Sequence, residues 1–492
     1  MSLRVEVGTT WGKIHGYIPE GPLVALRHAL SYEVPNLHFR RQNNRWAKER
    51  KFLLTEKRHE FRTGLLKRLC ENLETQGLDY EIDDRREISD PSQFMPHRFL
   101  EDADGFRDYQ LEAIDAAVNE RYGILRIATG GGKTRVMSGI MARLERPTVV
   151  LVHRLDLMHQ VYDVTRDLML YPELVGIVGG GIYQPGVITV CTIQTICAAL
   201  GIAYESVDED DRDGGVVPRG AKAHAQEITQ LLHRAAVVIL DEAHHAPART
   251  ILEVMEKCDT ASWRIGLTAT DFRDDKADIL IEAAMGPRIY NASLSDLVAW
   301  GYLVPAEVRM SPMAVPAVRC DSDNWQTLYR HYYTENDAFH KQVREDARGF
   351  YERGRHTLIL VTHVKHGHNL ETLIRREGMS CVFLSGKDTA TKRAEVMEDV
   401  RASRVRVLIG TSIADEGLDM PILDSLILAG GGTSKVKVYQ RLGRTLRPYP
   451  GKINAEVIDY RCRDHGTLKE KAGRRVGVYK SEPCFHFSEV RE

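Results

Sequence analysis

Short apolar runs alternate with longer amphipathic stretches through most of this chain. Runs at 123–128, 148–152, 187–191, 236–240 and 264–267 are each followed by a polar or helical-period segment. That alternation predicts a parallel sheet wrapped by helices. A stretch punctuated by Pro305, Pro312 and Pro316 then breaks the pattern and predicts a linker. The runs resume at 357–361, 381–384, 405–410, 425–429 and 455–458, so two α/β lobes of similar size are expected. The start of the chain reads differently. There Leu65, Leu66, Leu69, Cys70 and Leu73 recur at helical spacing before Gly77 stops the helix. The expected organisation is a small N-terminal α/β module at 1–95, a first lobe at 96–303 and a second at 304–492. No short-period repeat is present.

Composition narrows the class. A chain of 492 residues, 43% apolar and 28% charged, can bury sizeable cores and is not disordered as a whole. No apolar run is long enough to span a bilayer, and the first residues lack a signal-peptide layout, so no membrane association and a cytoplasmic location are expected. The eight cysteines are scattered without a CxxC pair, which suits reduced thiols. Net charge is only −2, but its distribution is uneven. Between Arg40 and Arg68 eleven Lys or Arg face three acids, and Arg40, Arg41 and Arg45 are candidate phosphate contacts. Trp46 and Phe52 in the same stretch suit base stacking. The same cations suit a solvated domain face equally well. Glu205 to Asp213 is acidic and reads as a solvated loop.

The chemistry begins at Ala128-Thr129-Gly130-Gly131-Gly132-Lys133-Thr134, between a predicted strand and a helical stretch. Glycines let backbone N–H groups approach phosphate oxygens, Lys133 adds a point charge, and the Thr134 hydroxyl is suited to Mg²⁺. Ile127 stands where the general phosphate-loop pattern has its first glycine. A second apolar strand ends in Leu240-Asp241-Glu242-Ala243-His244. Asp241 is the candidate Mg²⁺ ligand, and Glu242 the candidate base that orients and deprotonates water. Neither carboxylate is specific alone; paired with the loop they point to nucleotide hydrolysis.

In this order the motifs resemble those of superfamily-two helicases with a DEAH-type box, and the match covers about residues 100 to 462. The resemblance implies two tandem RecA-like lobes, ATP and Mg²⁺ as cofactors, and an ATP-dependent helicase acting on nucleic acid. It gives Phe106-Arg107-Asp108-Tyr109-Gln110 the adenine-reading role, with Arg107 and Gln110 as nucleotide contacts beside Thr129, Gly130, Gly131, Gly132, Lys133 and Thr134. Thr268-Ala269-Thr270 resembles the motif that couples hydrolysis to lobe movement, although Asp271 stands where proline is usual. In the second lobe it assigns Gly417, Asp419 and Gln440 to the nucleotide, and Arg444 and Arg447 to the γ-phosphate as arginine fingers. Three residues apart, those two arginines are expected on one helical face. Catalytic roles fall to Lys133, Asp241, Glu242, His244, Arg444 and Arg447. Nucleic-acid contacts fall to His153, Arg154, Gly180, Thr192, Gln194, Thr411 and Ser412.

Within the superfamily the chain most resembles the branch of UvsW and XPB, which implies unwinding or branch migration of DNA in recombination, repair or replication. Expected partners are single-stranded and branched DNA and RNA–DNA hybrid. An RNA helicase and a restriction-system motor share every ATP-site residue and stay open. So does an ATP-gated clamp or strand-annealing protein. His363, His366 and His368 have metal-like spacing but follow a strand where a helix should begin and are read as structural, while Cys462, His465, Cys484 and His486 lack the usual zinc-ligand spacing.

Overall fold

The computed structural model describes residues 2–33, 49–87, 105–204, 221–242, 248–269, 278–386, 388–411, 420–431 and 435–490. They form two compact units, one of residues 1–127 with 132–291, the other of 128–131 with 292–492. Among the described residues no helix is long and apolar enough to cross a membrane.

The first unit opens with six strands: β1 (Leu3–Val7), β2 (Trp11–His15), β3 (Ser31–Glu33), β4 (Arg50–Phe52), β5 (Glu60–Arg62) and β6 (Tyr80–Asp84). Four of them make a sheet in the order β5-β2-β1-β6, and β3 pairs with β4. Inward residues of β1 alternate with outward ones, Leu3, Val5 and Val7 being buried, as a sheet covered on one face requires. The Leu66–Thr75 helix lays Leu69 and Leu73 on that face.

Next come β7 (Tyr122–Ile127), β8 (Thr148–Val152), β9 (Val175–Gly179), β10 (Ile182–Gln184), β11 (Ile188–Thr192), β12 (Val237–Asp241), β13 (Trp263–Thr268) and β14 (Arg288–Ala292). They form one sheet in the order β10-β9-β11-β8-β12-β13-β7-β14. From β9 to β7 every pairing is parallel. Strands β8, β11 and β12 are buried along their whole length, which is why they read as largely apolar runs without alternation.

The second unit is built on β15 (Ala306–Pro312), β16 (Thr357–Leu360), β17 (Cys381–Leu384), β18 (Val407–Gly410), β19 (Ser425–Leu428), β20 (Ala455–Arg461) and β21 (Phe485–Glu489). Their order is β17-β18-β16-β19-β20-β15-β21, all parallel. The proline-punctuated stretch is therefore not a linker, which corrects the sequence expectation. Residues 306–312 are an interior strand, because Pro305 precedes it and Pro312 ends it, so neither ring removes a ladder N–H from its middle. Beneath this sheet the Asp459 carboxylate is 1% exposed and takes Arg475 Nε at 2.7 Å and the Tyr479 hydroxyl at 2.8 Å.

Candidate active site

In the first sheet β12, β13 and β7 are neighbours, with Asp241 opposite Leu267 and Thr268 opposite Arg126. The C-terminal ends of the three strands thus deliver Asp241, Thr268 and the glycine loop to one edge, where open parallel sheets bind ligands.

The loop turns back on itself, Gly131 N–H donating to the Ala128 carbonyl at 3.0 Å. Gly132 caps the Lys133–Leu144 helix with φ 76°, left-handed and natural to glycine. Its position is tight as well as twisted. A Cβ there would lie 2.6 Å from Gln110 Nε2, so the Gln110 amide abuts the last glycine of the loop. Gln110 is 3% exposed, and its Oε1 accepts the Arg107 N–H at 3.1 Å. Sequence reasoning gave Gln110 an adenine to read; the structure adds helix capping and bracing of the loop.

Lys133 Nζ forms an ion pair with the Glu242 carboxylate, both side chains being about one-eighth exposed, at 13% and 12%. Glu242 has φ 50°, a left-handed conformation that L side chains seldom adopt and that recurs at functional sites. Asp241, the last residue of β12, is 6% exposed. Burial first, then the Glu242 charge, pushes its carboxyl up to about 6, while Lys133 and His153 pull the other way. Among the described residues its Oδ1 has no hydrogen-bond partner although it is sealed from solvent. A buried carboxylate oxygen without a donor is suited to a metal-held water or a cation. The donor set fits Mg²⁺.

The predicted nucleic-acid residues of this lobe gather at the ends of β8, β9 and β11. Gln194 Nε2 donates to the His153 carbonyl, and a Cβ on Gly179 would lie 3.1 Å from Thr192 Oγ1. Gly180 follows with φ 60° in the β9–β10 turn. Two of these side chains are buried. His153 is 3% exposed and neighbours Asp241, whose carboxyl it draws downward. Thr192 is also buried, and its Oγ1 caps the Ile193–Leu200 helix by accepting from Thr195 N–H. Arg154 pairs with Asp156 at 3.1 Å. Only the sheet order, with β8 beside β12, reveals His153 as a neighbour of Asp241.

In the second unit Thr411 follows β18 and is buried. Arg444 sits in the last turn of the Lys435–Thr445 helix. Arg447 lies two residues beyond that helix, so the two arginines do not share one helical face, which corrects the sequence expectation. Pro448 biases Arg447 away from helical backbone, and the Leu446 carbonyl is taken by Val304 N–H at 2.8 Å. His363 precedes and His366 lies within the Val364–Arg376 helix, His366 buried against Tyr329. Arg40, Arg41, Arg45, His244, Thr270, Ser412, Gly417 and Asp419, and the Gln440 side chain, lie outside the described residues. Of the described cations in the basic stretch, Arg50, Arg62 and Arg68 pair with Glu33, Glu256 and Glu282, so these hold structure together.

Residues 104–273 match the family of the type III restriction enzyme res subunit, and residues 341–449 the helicase conserved C-terminal domain. A DNA 3'-5' translocase, XPB2 of Sulfurisphaera tokodaii, is 26% identical over 436 residues, 81% of this chain and 90% of the relative. A helicase of Sulfolobus islandicus filamentous virus is 28% identical over 270 residues, 52% of this chain and 48% of the relative. The chain thus spans about half the length of the viral relative. Among solved structures, a fragment of an HsdR subunit of a type I restriction enzyme from Vibrio vulnificus superposes with a TM-score of 0.56 at 18% identity, covering 88% of this chain and 77% of that one. That likeness is one of fold.

Proposed function

Because this chain belongs to the superfamily-two helicases, we propose that it is an ATP-driven DNA translocase that unwinds or branch-migrates branched DNA, such as R-loops, D-loops and junctions. The observation that carries the hydrolytic part is the buried Asp241 Oδ1, which has no hydrogen-bond partner among the described residues, beside the Lys133–Glu242 ion pair. DNA as the track is supported by the XPB2 relative, whose name states a DNA translocase.

Mg²⁺, which Asp241 and the Thr134 hydroxyl would hold, supplies neutralisation of phosphate charge. Lys133 leaves Glu242 to contact the phosphates, which frees the Glu242 carboxylate to take the proton of the attacking water. Gly130, Gly131 and Gly132 present backbone N–H groups to phosphate oxygens. His244, Gly417, Asp419 and Gln440 complete the nucleotide site by resemblance, and Arg444 and Arg447 donate cations to the transferred phosphate. Buried His153 steadies Asp241, while Arg154, Gly180, Gln194, Thr411 and Ser412 contact the strand.

A restriction-system motor is the second reading, favoured by the description of the family matched at residues 104–273. ATPase assays with single-stranded, duplex and forked DNA, RNA and RNA–DNA hybrid separate the two from an RNA helicase. Forked DNA is expected to stimulate most, with Glu242→Gln binding ATP but not turning it over. Stimulation by RNA alone, or wild-type turnover in Glu242→Gln, overturns the reading.

A further inference from the structure

In the Asp278–Met285 helix every residue from Ile279 to Met285 is buried. Leu280, Ile281, Ala284 and Met285 join the core of the large sheet with Ile124 and Val238. Ile279 and Ala283, four residues apart, instead join the core of the N-terminal module with Leu3, Phe61, Leu65 and Leu69. One short helix is therefore shared between two cores.

The contact is close and is locked by charge. A Cβ on Gly64 would lie 2.2 Å from the Glu282 carbonyl oxygen, so module and helix meet backbone to backbone. Arg68 Nε donates to both Glu282 carboxylate oxygens, at 3.0 and 3.1 Å, and the Glu282 side chain is only 11% exposed. Such forked pairing fixes orientation as well as distance. Three further links join module and lobe, two of them at the starts of lobe strands. Arg62 pairs with Glu256 while stacking on Trp11 at 3.6 Å. The Tyr122 hydroxyl lies 2.6 Å from the Thr9 carbonyl oxygen. Buried Arg264 of β13 donates to Thr10 Oγ1 at 3.0 Å.

The far side of the shared helix touches the chemistry's own strand. Met285 borders Gly266 of β13, a Cβ on that glycine falling 3.8 Å from Met285 Cγ. Two residues on, β13 ends at Thr268, alongside the strand that carries Asp241.

From this arrangement we propose that the N-terminal module is a fixed brace of the first lobe, and that Arg68, acting through Glu282 and the shared helix, is a positioning residue for the Thr268 end of β13. Its effect on turnover rests on the hydrolytic reading above; the brace itself does not.

The test compares wild type, Arg68→Gln, Arg68→Lys and the charge swap Arg68→Glu/Glu282→Arg by hydrogen exchange and ATPase kinetics, well below melting. Arg68→Gln is expected to speed exchange of 263–268 and 279–285 by about tenfold. It is also expected to lower DNA-stimulated kcat several-fold, with KM for ATP within about twofold. Arg68→Lys falls between, and the charge swap restores both readouts. Faster exchange confined to 64–75, or a swap that restores nothing, overturns the proposal. If wild type shows no DNA-stimulated turnover, the helicase reading fails, and exchange in 263–268 alone still decides whether the brace exists.

Discussion

Lys133→Ala tests the geometry of the site without any nucleotide. In the resting protein Lys133 is the cation paired with Glu242, and its charge also offsets that of Asp241. Deleting it leaves two adjacent carboxylates at a nearly dry strand end. Removing one partner of a buried ion pair costs about 3–5 kcal/mol. The remaining exposure of 13% and 12% places this pair near the lower end, at about 3 kcal/mol. For a unit of this size that is a fall in Tm of about 5 °C or more. The pH dependence has a definite sign. Burial holds the Asp241 carboxyl at about 6, above its ordinary 3.8. The destabilisation by its ionised form is therefore absent below 3.8 and complete once pH has risen past 6. Without Lys133 the carboxyl moves higher still, so the loss in Lys133→Ala is largest near pH 8 and shrinks toward pH 5. Thermal melts in EDTA at both pH values, on wild type, Lys133→Ala and Lys133→Ala/Glu242→Gln, measure it. The double variant, having lost one of the facing carboxylates, is expected to regain most of the lost stability at pH 8. If Lys133→Ala melts within about 1 °C of wild type at pH 8, or its deficit grows on acidification, the ion-pair account is wrong.

Gly132→Ala forces a left-handed alanine against Gln110 Nε2, and nucleotide affinity by fluorescent-analogue titration is expected to fall about tenfold or more; unchanged affinity would show the loop to be slack. Arg475→Met strands the Asp459 carboxylate at 1% exposure, so urea unfolding of the second unit is expected to lose about 3–5 kcal/mol, much of it returned by adding Asp459→Asn. Burial, followed by the charges of His340 and His363, depresses His366 to about 3. The stability this histidine contributes as a neutral ring is therefore present above its ordinary 6.5 and lost as pH falls below it, at about 1.4 kcal/mol per pH unit. His366→Gln is expected to flatten that slope between pH 6.5 and 5.5, and an unchanged slope would place the titrating group elsewhere.

The parts of the fold legible in the sequence were those where burial is two-sided. Strands β8 and β12 are buried at every position and apolar but for Thr148 and Asp241 at their ends, as a sheet covered on both faces requires. Strand β15 escaped notice because it alternates, Ala306, Val308 and Met310 inward with Glu307 and Arg309 outward, and because prolines at its ends read as breaks. The glycine loop and Asp241-Glu242 were legible because their chemistry needs particular residue types at close spacing. What was hidden depends on contacts remote in sequence. Nothing near His153 signals that β8 adjoins β12, and nothing in the basic stretch signals that Arg62 and Arg68 meet acids at 256 and 282. Charge counting shows only a basic stretch there, equally suited to phosphate and to a solvated face.

The double-sided helix at 278–285 also constrains ancestry. A descendant that shed residues 1–87 would leave Ile279 and Ala283 bare to water unless both were exchanged for polar side chains. Apolar side chains at these two places and possession of the leading module are thus expected to be inherited together across the lineage, and a homologue retaining one without the other would mark where that bond was broken.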